Sequence, residues 1–371
     1  MKLDTTEKTD GERLMKILFV TKQDYHGVPN GGSAGSKRNF QLLSELADVD
    51  LYHIKTRKNL FAYLSLIFMY FPGITLQHIQ EINQKCKDEK YSAIFLDASL
   101  FGGIAKNIKR KFNCKVVVFF HNCESDYFKM LSKKNIIKSL YYLYALFSER
   151  QCTKYADIII TLNRRDQKRI AEEYLRKSEY LIPVTFEDKF IKQKMNRQKQ
   201  LCNEPVILFV GSFFLPNYEG VKWFIENALP LISAKLQIVG KGFEKVKYEL
   251  EALNDKLEVI GTVQSIEPYY TDAACVVMPI FEGSGMKVKM AEALMYGKTV
   301  FGTKEAFEGY EIDCQKAGGL CNTGEEFVTA MNQFLKNPVY YNSYNRQIFM
   351  EKYSNSNVKT IFEEILREVS T

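Results

Sequence analysis

The residue types best able to do chemistry are concentrated between Pro279 and Phe301, in the run Pro-Ile-Phe-Glu-Gly-Ser-Gly-Met-Lys-Val-Lys-Met-Ala-Glu-Ala-Leu-Met-Tyr-Gly-Lys-Thr-Val-Phe. An apolar stretch, Cys275 to Met278, leads into Gly283 and Gly285; a helical pattern follows from about Met286 to Tyr296, and a second strand is expected after Gly297. Glycines let a ligand reach backbone N–H groups without interference from Cβ, and a helix start adds about half a positive charge. Lys287 and Lys289 stand in the first turn, where a cation opposes the helix dipole. A bound phosphate supplies a reason for both. Gly285, Lys289, Glu292 and Tyr296 share one helical face, with Val288, Ala291 and Met295 on the apolar one. A carboxylate one turn deeper than the lysine is placed to accept from ribose hydroxyls, so the expected ligand is a nucleotide diphosphate. The competing reading is an ordinary αβ unit with solvated lysines.

The first half offers fewer candidates. His121 ends the apolar run Val116 to Phe120, with Asn122 and Glu124 beside it, and in parallel sheets ligands sit beyond the carboxyl ends of strands. A lone histidine there also has a plain structural use, as a hydrogen-bonded strand end. His26 lies in a loop, Gln23 to Gly35, that contains Gly27, Gly31, Gly32 and Gly35 and can close over a phosphate or sugar. That loop fits neither G-x-G-x-x-G nor G-x-x-x-x-G-K-[ST]. His53 falls in a strand and His78 on a helix, each without supporting company.

Positioning these groups requires a particular scaffold. Apolar strands near 16–22, 51–54, 93–96, 115–120 and 157–161 alternate with helical segments and few hairpin turns, which predicts a parallel doubly wound sheet. Residues 186–204 are rich in Lys, Arg, Gln and Asn and read as a linker. The pattern then restarts with strands at 206–210, 236–239 and 257–260, the last two ending in Gly240, Gly242 and Gly261, and three helical segments are expected after Phe301. With 371 residues and 46% hydrophobic content, two domains each have enough chain for a core. The expected division is 15–184, a linker at 185–204, 205–351, and a terminal helix at 352–371.

Net charge is +7, which suits an anionic partner but is modest for a nucleic-acid binder, and no nucleic-acid motif accompanies it. Eight cysteines lie singly without a C-x-x-C pair, so neither a disulfide framework nor a zinc site is indicated, and a reducing cytoplasm is the expectation. Met1 to Arg13 is polar, unlike an ordinary signal peptide, and Met15 is a candidate start. The apolar run Leu60 to Pro72 is too short to span a bilayer and reads as a buried helix, with an interfacial helix as the competing reading. Between Asp126 and Lys154 a long helix carries Lys129, Lys133, Lys134 and Lys138 before Tyr141, Tyr142 and Tyr144. A solvated face and a core stripe explain these, and an anionic membrane surface explains them equally in kind.

Taken in order, the pieces resemble glycosyltransferase family 4, the retaining GT-B enzymes. The resemblance rests on Gly31-Gly32, Phe120-His121-Asn122 with Glu124, Ala156-Asp157 through Asp166, Ile182-Pro183, Phe209-Val210-Gly211-Ser212 with Pro216-Asn217, Ile238-Val239-Gly240, Ile260-Gly261 and, above all, Gly283 to Ala293. It covers nearly the whole chain and extends to a last helix, after Tyr353-Ser354, that crosses back onto the first domain. It implies two Rossmann-like domains facing a cleft and transfer of a sugar from a UDP- or GDP-sugar to a glycan, lipid-linked or protein-linked acceptor, with retained configuration, in surface polysaccharide or glycoconjugate assembly. His121, Lys289 and Glu292 would be catalytic. The donor would meet Gly31, Gly32, Ser212, Gly240, Lys241, Thr262, Val263, Glu282, Gly283, Ser284, Gly285, Met286 and Lys287, and the acceptor His26, Asn122 and Glu124. No metal or other cofactor is implied, and the expected place is the cytoplasm, with contact at the inner face of the membrane and with other glycosyltransferases.

Three departures from the family pattern bear on this. Many members carry two glutamates eight residues apart, where this chain has Ser284 and Glu292. Many carry an arginine and a lysine where this chain has Ser212 and Glu219. Lys287 and Lys289 are expected to take over the diphosphate contacts. The alternatives are a non-catalytic GT-B partner that stabilises another glycosyltransferase, and a sugar-nucleotide epimerase.

Overall fold

A computed structural model describes residues 15–25, 31–55, 65–132, 136–190, 204–283 and 285–370. The first half builds β1 (Lys16–Thr21), α1 (Gly31–Leu46), β2 (Asp48–His53), α2 (Leu76–Asp88), β3 (Ala93–Leu96), α3 (Gly102–Lys111), β4 (Lys115–Phe120), α4 (Glu124–Ser132), α5 (Ile136–Tyr155), β5 (Ile158–Thr161), α6 (Arg164–Tyr174) and β6 (Tyr180–Leu181). The six strands run parallel in the order β2-β1-β3-β4-β5-β6. Near-continuous apolar strands such as KILFVT and KVVVFF are what a sheet covered on both faces requires. Phe19, Phe95 and Phe119 point to one face, and Leu18, Ile94 and Val118 to the other, under α3 and α5.

The second half contributes β7 (Val206–Val210), α7 (Leu215–Asn227), β8 (Lys235–Val239), β9 (Leu257–Gly261), β10 (Cys275–Met278), α8 (Val288–Met295), β11 (Thr299–Gly302), β12 (Gly318–Leu320), α9 (Gly324–Leu335) and α10 (Asn355–Ser370). Its parallel sheet has the order β12-β11-β10-β7-β8-β9. The topology therefore reverses between β7 and β10, and in the first sheet between β1 and β3. Ligands bind in the crevices beyond strand ends at such switch points. The last helix leaves the second sheet and lies on the first: Phe362 meets Phe95 at 6.2 Å between centroids, and Lys359 pairs with Glu45 at 2.7 Å.

Several expectations change. Gly31, Gly32 and Gly35 belong to α1, not to a loop, and α8 begins at Val288, two residues later than its pattern indicated. The segment 126–154 is two helices. β6 and β12 were not expected. After Phe301 there are more helical pieces than three, including short ones at Lys304–Phe307, Cys314–Ala317 and Ser343–Ile348. Of the run 60–72, only 65–67 is helical among the described residues, and Ile67 and Phe68 are exposed while Phe71 is buried. The linker's first residues are tied down: Phe186 donates its N–H to Tyr353 and accepts from Asn355, and Phe190 stacks on Tyr341. No helix among the described residues is long and apolar enough to cross a membrane.

Candidate functional site: the cleft between the two sheets

At the second switch point, the segments leaving β7 and β10 run side by side and α8 stands beneath them. Lys289, in the first turn of α8, donates to Asn217 Oδ1 at 2.6 Å, and its Nζ lies 4.4 Å from the centre of the Phe209 ring. A Cβ at Gly211 would come within 3.0 Å of that Nζ, so glycine leaves room for the lysine to pass. Removal from water lowers the Lys289 amine to about 7, Lys287 adding to the fall and Glu292 opposing it. Burial likewise raises the Glu292 carboxyl to about 7, against the pull of Lys289 and the neighbouring Tyr270 hydroxyl. Both groups are thus shifted towards their neutral forms and titrate near 7, a balance that an arriving charged ligand would change.

Lys287 is less available. It caps the start of α8, with Nζ 2.6 Å from Glu305 Oε1 and 2.9 Å from the Gly285 carbonyl. Glu305 is shared with Arg165 of α6 at 3.5 Å, so this lysine also sits in a contact between the two halves. Lys287 is thus held by the Glu305 carboxylate, whereas Lys289 forms no ion pair with any described residue.

Across the cleft, His121 donates through Nε2 to Asp97 Oδ1 at 2.9 Å, and its ring lies 4.5 Å from that of Phe119. Asp97 is buried at the exit of β3, where it also accepts from Thr21 at 3.1 Å, Asn39 at 3.3 Å and Ser36. A carboxylate accepting these bonds fixes the imidazole's orientation and keeps the proton on Nε2. Asp97 was not identified from the sequence. Its signal was available only as a lone acid directly after an apolar run, parallel to the one that precedes His121. Glu124 opens α4, and burial raises its carboxyl to about 7, with Glu149 adding and His121 and Lys22 opposing.

The halves meet at Gly285, whose φ of 68° suits glycine and where a Cβ would lie 3.5 Å from the His121 carbonyl and 3.6 Å from Asn122 Cβ. Beside this contact is a cavity of about 500 Å³. It brings together Ser212, Gly240, Lys241, Glu282, Gly283, Met286, Lys287, Lys289 and Glu292 with Asn217 and Phe214, and from the other side Ala34, Tyr127, Met130 and Phe186. Gly31 and Gly32 start the helix that carries Ala34; His121, Asn122, Glu124 and Gly285 do not line the cavity. Thr262 and Val263 do not line it either; the Thr262 hydroxyl is hydrogen-bonded to Glu244. His26 and Ser284 lie outside the described residues.

Residues 204–337 match the family model for glycosyl transferases group 1, a stretch that takes in β7 to α9 and the whole Lys289–Glu292 wall. Among solved structures, sucrose-phosphate synthase from Thermosynechococcus elongatus is similar at TM-score 0.72 and 15% identity, over 96% of this chain and 99% of that one. A glycosyltransferase from Rickettsia africae is similar at TM-score 0.69 and 14% identity, over 97% and 100%. HepE from Anabaena, solved with UDP and glucose, is similar at TM-score 0.66 and 13% identity, over 95% and 99%. At these identities the shared property is the fold, and the fold is GT-B: two Rossmann-like parallel-sheet domains facing a cleft. No curated protein matches the chain in sequence.

Proposed function

We propose that the chain is a retaining glycosyltransferase that moves a hexosyl group from a UDP- or GDP-sugar to a glycan or lipid-linked acceptor in surface polysaccharide or glycoconjugate assembly. The observation that carries this reading is the pairing of Lys289 and Glu292 on one helix at the β7/β10 switch point, with His121 and Asp97 at the ends of β4 and β3 across the cleft. The bond to be broken joins the sugar's anomeric carbon to a diphosphate oxygen, and the difficulty is the charge left on the diphosphate. The Lys289 ammonium and the N–H groups that open α8 offset that charge where water is excluded, so neither a metal nor a nucleophile is invoked. Glu292 accepts from the ribose, and His121, held by Asp97, faces the transferred sugar. The group 1 match over this wall and HepE's complex with UDP and glucose both support a nucleotide-sugar donor.

Calorimetry of the full chain with UDP and with GDP tests the donor half: one of them should bind, and Glu292→Ala should weaken it. Binding of neither would remove the reading. A non-catalytic GT-B partner is the second reading, favoured by Lys287's engagement with Glu305 and by Ser212 and Glu219 standing where many family members carry an arginine and a lysine. It predicts binding without turnover of UDP- and GDP-sugars under any acceptor. The exposed Ile67, Phe68, Leu140 and Leu143, near Lys138, suit peripheral contact with an anionic membrane at its cytoplasmic face.

A further inference from the structure

Beside the donor wall lies a second cavity, of about 330 Å³, that the proposed transfer does not use. It shares Pro216 and Glu282 with the first and adds Glu219, Trp223, Phe281 and Asn322. The sheet order fixes where it opens. Ser212 follows β7 and Lys241 follows β8, whereas Glu282 lies beyond β10 and Asn322 beyond β12, so this cavity continues the cleft edge towards β12, away from Gly240 and Lys241. Glycine makes it possible. A Cβ at Gly220 would come within 1.8 Å of the Pro279 carbonyl, and its absence lets α7 lie close against the exit of β10. Glu219 and Trp223, four residues apart on one face of that helix, are thereby set beside Phe281 and Glu282. The indole and the phenyl ring meet edge to face, 4.6 Å apart between centroids, and form one wall.

Packing accounts for part of this, since Trp223 also lies 6.1 Å from Phe327 of α9. It does not account for the rest. Phe281 is 42% exposed, and neither Glu219 nor Glu282 forms a hydrogen bond or an ion pair with any described residue. Asn322 accepts the Lys304 N–H through Oδ1, which leaves its amide N–H groups to donate elsewhere. An exposed acid alone is ordinary surface. Two of them at an aromatic corner, with a free amide on the same cavity, set acceptors and a donor around an apolar face. An anion would meet both carboxylates, and an ammonium ion, which only donates, would leave the Asn322 amide unanswered. Sugar hydroxyls donate to the carboxylates and accept from the amide, while the ring's C–H face covers the aromatic wall.

We propose that Glu219, Trp223, Phe281, Glu282 and Asn322 form a subsite for a neutral sugar residue of the acceptor glycan. This rests on the glycosyltransferase reading for the subsite's role, while the sugar site itself is tested without a donor sugar. Trp223 is the only tryptophan in the chain, so its fluorescence reports occupancy. Titrating the full chain, with UDP present, with methyl hexopyranosides and N-acetylhexosaminides should give a saturable fluorescence change for at least one glycoside, and saturation-transfer NMR should show the same glycoside bound. Glu219→Ala and Phe281→Ala should each raise its dissociation constant about threefold to tenfold, the loss expected for one hydrogen bond or one aromatic contact. UDP binding should be unchanged in Glu219→Ala. A glycoside that binds both variants as tightly as the wild type would overturn the proposal, as would a chain that binds no glycoside with UDP or without it. A fluorescence response to tetramethylammonium at lower concentration than to any glycoside would overturn it too, by marking a cation site. If Phe281 only covered Trp223, Phe281→Ala would shift the emission of the free chain and leave the glycoside constant as it was. A glycoside response in a chain that fails to bind UDP counts against the donor reading alone.

Discussion

Lys289 carries the sharpest conflict between burial and charge in the cleft, and that conflict is measurable. With its amine lowered to about 7, part of the population is uncharged at neutral pH. A diphosphate favours the ammonium and raises that value, so UDP binding should take up protons above pH 7, where the amine is neutral and Glu292 already ionised; below pH 7 the ammonium is already formed, and a Glu292 carboxyl that accepts from the ribose gives up its proton instead. Affinity should accordingly decline as pH rises through about 7 towards 9, by up to about tenfold per pH unit. Calorimetry in two buffers of different ionisation enthalpy reads the uptake directly. Lys289→Met should abolish it and weaken UDP by about tenfold to a hundredfold, while Glu292→Gln keeps it; uptake that persists in Lys289→Met would take the lysine out of the phosphate site. Lys289, Glu292 and His121 were legible in the sequence because each belongs to a short-range pattern, either a helix face or a strand end. Asp97 was not, because its meeting with His121 depends on the parallel register of β3 and β4, which pairs Leu96 with Val118. No one-dimensional spacing contains that.

The strand, turn and helix units that hold these residues depend on close backbone approach. Gly220 in α7 is the tightest case: a Cβ there would lie 1.8 Å from the Pro279 carbonyl, at the exit of β10. Alanine usually favours a helix over glycine by about 1 kcal/mol, but an overpacked contact costs about 1–3 kcal/mol and here the neighbour is backbone. Gly220→Ala should therefore lower stability by about 1–2 kcal/mol in urea unfolding, and it should weaken UDP because the displaced segment leads to Glu282 and Gly283. A stabilised variant would show that α7 can shift without cost. Core elements were readable for the same reason that they pack: buried parallel strands such as Cys275–Met278 are short unbroken apolar runs. The misses are elements without such a run. β6 is two residues long, β12 is Gly-Gly-Leu, and the 60–72 stretch is apolar yet leaves Ile67 and Phe68 at the surface.

At the scale of the whole molecule, α10 belongs to the second half by sequence and to the first by packing. Val358, Phe362, Ile365 and Val369 are all buried. At about 1.5–3 kcal/mol for each such side chain, their burial contributes up to about 6–12 kcal/mol, an upper bound because an unfolded chain already hides some surface. That is the size of a domain's entire stability. The polar contacts of this helix are of a different order: Lys359 and Glu45 are both well exposed, and such pairs contribute about 1 kcal/mol or less. A chain ending at Ser354 should therefore lose the cooperative unfolding of the first domain and aggregate, whereas Lys359→Ala should melt within a degree or so of the wild type. Thermal unfolding followed by circular dichroism separates the two, and a truncated chain that melts normally would mean that α10 only covers a core complete without it. Both chain crossings between the halves meet at this helix's start, where Phe186 bonds to Tyr353 and Asn355. The crossing that anchors the first core thus also fixes one edge of the cleft, so loss of α10 should cost UDP-dependent chemistry even though none of its residues lines the donor wall.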